Sequence, residues 1–91
     1  MYKKAVTVIN NRGLHARPGS DFVNAAVKFT SKITIRRLDE DDDPVNAKSI
    51  AFVLCLGISK GVTIELAANG EDEQKAIDTL EAMINEGFGD L

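Results

Sequence analysis

Apolar and polar residues alternate along residues 2–9. Tyr2, Val6 and Val8 fall on one face, Lys3 and Thr7 on the other, which is the period of a half-buried strand. After a turn at Asn10, Asn11, Arg12 and Gly13, the period lengthens over residues 18–29. Phe22, Ala26 and Phe29 recur at i, i+4 and i+7, one stripe of an amphipathic helix. Pro18 fixes φ and lacks an N–H, so it suits the first turn of a helix. The residue before a proline is pushed away from α geometry, so the helix is predicted to begin near Arg17.

Ile33 and Ile35 alternate with Lys32, Thr34 and Arg36 as a second strand. Five acids follow, Asp39, Glu40, Asp41, Asp42 and Asp43, and they read as a solvated loop. Residues 44–47 form a short third strand, and Pro44 suits a sheet edge, where its missing donor breaks no ladder. Residues 49–56 form a short helix that Gly57 closes in the left-handed conformation. Val62, Ile64 and Leu66 alternate with Thr63 and Glu65 as the fourth strand. Glu71, Asp72 and Glu73 suit the start of a last helix, whose buried stripe is Ala76, Ile77, Leu80, Met83 and Ile84 and which ends at Gly87. The order is βαββαβα, with no repeat and no linker. Strands with one apolar face and helices with one apolar stripe imply two layers.

Composition narrows the function classes. Ninety-one residues suffice for one domain, residues 1–91, that buries roughly 60–65% of its unfolded surface. A single cysteine, Cys55, excludes an internal disulfide and agrees with a reducing compartment; it is expected to be buried or half-buried in its helix. No apolar run reaches the length of a membrane span and no signal-peptide pattern opens the chain, so a cytoplasmic protein without membrane insertion is expected. The net charge is −3, yet without the five consecutive acids eleven basic residues stand against nine acidic ones. Neither balance is the basic footprint of a nucleic-acid binder. The acidic run lacks the central glycine and distal glutamate of an EF-hand, so no metal site is expected there.

The candidate chemistry centres on His15, the only histidine of the chain. It precedes a helix whose unpaired N–H groups and positive dipole end form an anion site, and Arg17 follows two residues later. A neutral imidazole is a competent nucleophile near neutral pH, and a guanidinium binds phosphoryl oxygens bidentately. The P–N bond so formed is labile, which suits a carrier. Ser20 lies in the first turns of that helix, as a docking residue or an ordinary polar surface residue. Ser49 opens the short helix as an N-cap. That helix cannot bury its whole circumference: Val53 and Leu56 fall on one side, and Ile50, Ala51 and Leu54 spread over another that faces water as a docking patch.

The stretch Gly13, Leu14, His15, Ala16, Arg17, Pro18 resembles the active-site signature of the HPr family, the histidine-containing phosphocarriers of the bacterial sugar phosphotransferase system. Residues 46–61 resemble the family's second signature, a serine opening a short apolar helix, and residues 69–76 the start of its last helix. The resemblance implies an α+β open-faced β-sandwich, a four-stranded antiparallel sheet covered on one face by three helices. It implies that His15 is phosphorylated through Nδ1, that Arg17 assists transfer, and that Ser49 is a regulatory site for an ATP-dependent HPr kinase/phosphorylase. The implied partners are Enzyme I as donor, EIIA domains of sugar permeases as acceptors, and a catabolite-control transcription factor for the serine-phosphorylated form. The patch of Ser20, Ile50, Ala51 and Leu54 would dock donor and acceptors. A monomeric covalent relay is implied, with no cofactor and no catalytic turnover of its own. Two alternatives stay open: a serine-phosphorylated regulatory binding module, and a carrier of another phosphorelay branch. Against the family pattern, the acidic connection is longer by about three residues, Ala51 is small and Phe52 is large for its place.

Overall fold

The computed structural model describes residues 1–89. Four strands, β1 (Tyr2–Thr7), β2 (Lys32–Arg37), β3 (Val45–Asn46) and β4 (Thr63–Asn69), form one antiparallel sheet in the order β1-β4-β2-β3. Three helices, α1 (Ala16–Ala26), α2 (Ile50–Cys55) and α3 (Glu73–Asn85), complete an α+β open-faced sandwich. A short 3-10 turn at Gly87–Gly89 follows α3.

The alternation of the strands decides which face the helices cover. Val6, Val8, Ile33, Ile35, Ile64 and Leu66 point into the core and meet Phe22, Val23 and Ala26 of α1 and Ala76, Ile77, Leu80 and Ile84 of α3. Lys3, Lys32, Thr34, Arg36 and Glu65 lie on the open face, where Arg36 Nε donates to Glu65 at 3.0 Å. Ala67 is buried although it belongs to this polar side, because it pairs with Lys3 on one flank and Thr34 on the other. Each fully buried Ile, Leu or Phe contributes roughly 1.5–3 kcal/mol. Against that measure α1 and α3 are firmly seated, whereas α2 buries one residue, Val53.

The boundaries refine the sequence reading. Strand β1 ends at Thr7, although the peptide of Val8 still bonds the chain at Gly61 and Val62. Helix α1 ends at Ala26 and not Phe29, because Lys28 and Phe29 donate to Ala25 and Ala26, three residues back, in a tightened last turn. Strand β3 has two residues and lies on the edge, as its proline implied. The expected burial of Cys55 is corrected: its thiol side is exposed. Cys55 stands about 200° around the helix from Val53, so in a single short helix burying one excludes burying the other.

Asp72 ties the start of α3 to the turn before β2. Its Oδ2 accepts the N–H of Thr30 at 2.9 Å, and its Oδ1 accepts the N–H of Ser31 at 3.0 Å and the Ser31 hydroxyl. The Ser31 hydroxyl first, then the Thr30 peptide, lowers the Asp72 pKa to about 2. A folded-state pKa below the unfolded value near 4 gives stability that is complete above about pH 4 and lost as pH falls toward about 2. Asp72→Ala is expected to lower the melting temperature at pH 7, with the gap to the unsubstituted protein closing between pH 4 and pH 2. Thermal melts across that range measure it.

Candidate functional site

His15 is held outward by what surrounds it. Leu14 is buried, and its N–H donates to the Ile58 carbonyl at 3.0 Å. Gly13 has φ +61°, and a Cβ there would fall 2.3 Å from the Ile58 carbonyl oxygen, so only glycine fits. Buried Asn10 donates through Nδ2 to the Gly13 carbonyl at 2.9 Å and closes the turn. With Leu14 pulled inward, the following side chain is exposed, and His15 becomes the N-cap residue of α1 without bonding a helix N–H through its ring. No acidic residue stands in the first turn of α1, which leaves the positive helix end to an incoming anion. Ala16 carries φ +51°, a left-handed conformation that costs a non-glycine residue roughly 1–2 kcal/mol. The helical turns therefore begin in earnest at Arg17, as Pro18 predicted.

The Arg17 side chain is 86% exposed, with its Nε 3.9 Å from Asp21 Oδ2. A pair so long and so exposed restrains the guanidinium weakly. Arg17 lines a cleft of about 310 Å³ with Arg12, Pro18, Asp21, Phe88 and Gly89. Arg12 and the segment after α3 were not legible as neighbours of Arg17, since nothing in their spacing pairs them with it.

Gly19 brings the two short-range features together. A Cβ at Gly19 would meet the Leu14 carbonyl oxygen at 2.4 Å and Leu54 Cδ2 at 3.4 Å, so α1 packs closely on its own leading loop and on α2. Ser20, next to it, is exposed. On α2, Ile50, Leu54 and Phe52 are 39%, 40% and 54% exposed, and Ala51 is exposed too. The side of Ile50, Ala51 and Leu54 therefore faces water, and Phe52 is exposed about 200° around the helix from Ile50 and Leu54. Ser49 is the N-cap: its Oγ accepts the N–H of Phe52 at 3.4 Å, a long bond.

The far end of α2 is gripped by Arg37, the last residue of β2. Its Nη1 donates to the carbonyls of Leu56 at 3.0 Å and Gly57 at 3.2 Å. Its Nε and Nη2 donate to the two carboxylate oxygens of Asp39 at 2.9 and 2.7 Å. The acidic run thus departs from a purely solvated loop at its first residue, while Asp41, Asp42 and Asp43 are exposed. Asp39 holds the Arg37 pKa above its usual value, and Arg37 holds the Asp39 carboxyl below its own. Among the described residues no group of three or more His, Cys, Asp or Glu side chains converges as a metal site, and no helix is long and apolar enough to cross a membrane.

The family model described as "PTS HPr component phosphorylation site" matches residues 2–86. The chain is 42% identical over 84 residues to the multiphosphoryl transfer protein of Haemophilus influenzae, covering 92% of this chain and 17% of that longer protein. It is 38% identical over 90 residues to the phosphocarrier protein HPr of Neisseria meningitidis serogroup A, covering 99% and 98% of the two chains. The solved structure of HPr-C-His from Thermoanaerobacter tengcongensis is similar with a TM-score of 0.93 and 41% identity, over 100% of this chain and 99% of that one.

The left-handed Ala16 yields a test of the local geometry. Ala16→Gly removes roughly 1–2 kcal/mol of strain and adds roughly 0.5–1 kcal/mol of unfolded-state entropy. A net gain of up to about 1 kcal/mol is expected, read as a higher urea midpoint at unchanged slope.

Proposed function

The chain belongs to the HPr family of the phosphotransferase system, and from that premise we propose that His15 carries a phosphoryl group from phosphoenolpyruvate-charged Enzyme I to EIIA domains of sugar permeases. The observation that carries this reading is the exposed His15 at the uncapped positive end of α1, with Arg17 two residues on. The lone pair of Nδ1 forms a P–N bond as the bond between phosphorus and the donor nucleophile breaks. The negative charge of the group falls beside the first N–H groups of α1 and within reach of the mobile Arg17 guanidinium. Transfer to an acceptor reverses the step: its nucleophile attacks phosphorus, and the imidazole leaves. Net chemistry is zero for the protein over a cycle, so it is a stoichiometric relay and not an enzyme.

Ile50, Ala51, Leu54 and Ser20 are the docking surface in this reading, and all four are exposed. Their proximity to His15, through the Gly19–Leu54 contact, supports one surface serving donor and acceptors. The protein works in the cytoplasm, with residues 1–91 as one carrier domain. Ser49 is the regulatory site, modified by an ATP-dependent kinase and read in that form by a catabolite-control transcription factor.

His15→Ala is expected to abolish labelling from phosphoenolpyruvate and Enzyme I without changing the melting temperature, since the exposed imidazole contributes nothing to the core. The label on the unsubstituted protein should be acid-labile and base-stable, as a phosphoramidate is; undiminished labelling of the variant overturns the assignment. Phosphate on Ser49 lies beside exposed Ile50, where burying a dianion against an apolar partner is costly. It is expected to raise the KM for this protein with Enzyme I by about tenfold or more, roughly 1.4 kcal/mol of lost docking, with the melting temperature unchanged or higher. Steady-state kinetics of the phosphorylated protein measure this; an equal KM leaves Ser49 as a helix cap alone.

A further inference from the structure

Helix α2 is six residues long and buries only Val53, so its own packing does not fix its direction. Its first peptide groups meet Ser49 through one long bond of 3.4 Å. Its last carbonyls meet a cation. Arg37 Nη1 takes both Leu56 and Gly57 oxygens, while the Nε and Nη2 edge of the same planar group is forked onto Asp39. Four of the five guanidinium N–H groups are thereby engaged, in two directions that one rigid plane holds at a fixed angle. The Arg37 side chain is 17% exposed, against 86% for Arg17, as befits a group that is held.

What Arg37 is attached to is as firm as what it holds is loose. It closes β2, whose Ile33 and Ile35 are fully buried, and it pairs in register with Ile64 of the central strand β4. Asp39, two residues on, occupies the fork that water would otherwise take. Glu40 adds a carboxylate 3.5 Å from Nη1.

We infer that Arg37, locked by Asp39, is a positioning residue for partner docking: it fastens the C-terminal end of α2 to the sheet and so sets the attitude of the Ile50, Ala51 and Leu54 patch. The inference rests on the reading of that patch as the docking surface. The acidic connection then acts on partners through α2, by way of its first residue, and the charges of Asp41, Asp42 and Asp43 are dispensable to it. Lysine cannot replace Arg37, because a single ammonium cannot fork onto a carboxylate and reach two carbonyls in the same plane.

The test combines backbone amide hydrogen exchange with the Enzyme I assay on the full chain. In Arg37→Ala and Arg37→Lys, amides 53–57 should exchange roughly tenfold faster, with α1 and α3 unchanged. The KM for this protein should rise about fivefold or more at constant kcat, and Asp39→Asn should show a weaker version of both. A variant with Asp41, Asp42 and Asp43 all changed to Asn should match the unsubstituted protein in both readouts. Unchanged exchange of amides 53–57 in Arg37→Ala overturns the clamp, whatever the assay gives. Faster exchange with an unchanged KM overturns the positioning role and leaves the docking reading of α2 standing. A KM raised as much by the triple asparagine variant as by Asp39→Asn overturns the clamp in favour of bulk charge. Absence of labelling on the unsubstituted His15 counts against the carrier reading, and the exchange data still decide the clamp.

Discussion

The 3.0 Å hydrogen bond from Leu14 to the Ile58 carbonyl joins the loop before α1 to the loop after α2. Both side chains of the pair are buried, so this peptide contact is sealed from water and backed by apolar packing. Gly13 is the only residue type that lets the two backbones come so close, since any Cβ would overlap the same carbonyl. From that anchor follow the outward direction of His15, the strained start of α1 and the abutment of Gly19 on Leu54. His15 and helix α2, separated by more than thirty residues, are thereby neighbours at one end of the sandwich.

Most of the framework was legible because periodicity reports burial. The stripe of Phe22 and Ala26 and the alternations of Ile33 with Ile35 and of Ile64 with Leu66 found their faces without any knowledge of topology. Helix ends were legible where chemistry marks them, at Pro18, Ser49 and Gly57, and less so at Phe29, where tightened turns blurred the boundary. Cys55 was misjudged because residue type argued for burial and the wheel argued against it; in a helix burying one side chain the wheel decides. In the candidate site, His15 and Arg17 were visible from their local setting. The cleft that Arg12 and Arg17 share with Phe88, and the hydrogen bond of Arg37 to Leu56, bring together residues far apart in the chain. No local pattern encodes them.

The three helices divide the labour by how deeply they are seated. Helix α3 places four side chains in the core and lies along β1 and β4, while its N-terminal Asp72 reaches across to Thr30 and Ser31. Helix α1 has His15 at one end; beyond the other, Lys48 Nζ donates to the Phe29 carbonyl at 2.6 Å. Helix α2 fully buries only Val53 and leaves Ile50, Phe52 and Leu54 exposed, and polar side chains bond both of its ends. Apolar side chains left at the surface cannot also be committed to the interior, and the polar anchors are the compensation.

The two-residue β3 pairs with β2 at Thr34 and Ile35, and the Ala47 N–H adds a bond to the Ile33 carbonyl, so the end of β2 from Arg36 onward has no strand beside it on that rim of the sheet. Such a rim invites a strand from another molecule to add itself, the first step toward aggregates. Here Pro44 withholds a donor at the corner, and Asp41, Asp42 and Asp43 stand immediately before it. An incoming backbone would have to pass three carboxylates to complete the ladder, so the loop that looked like excess charge also serves as a guard against self-association in a crowded cell.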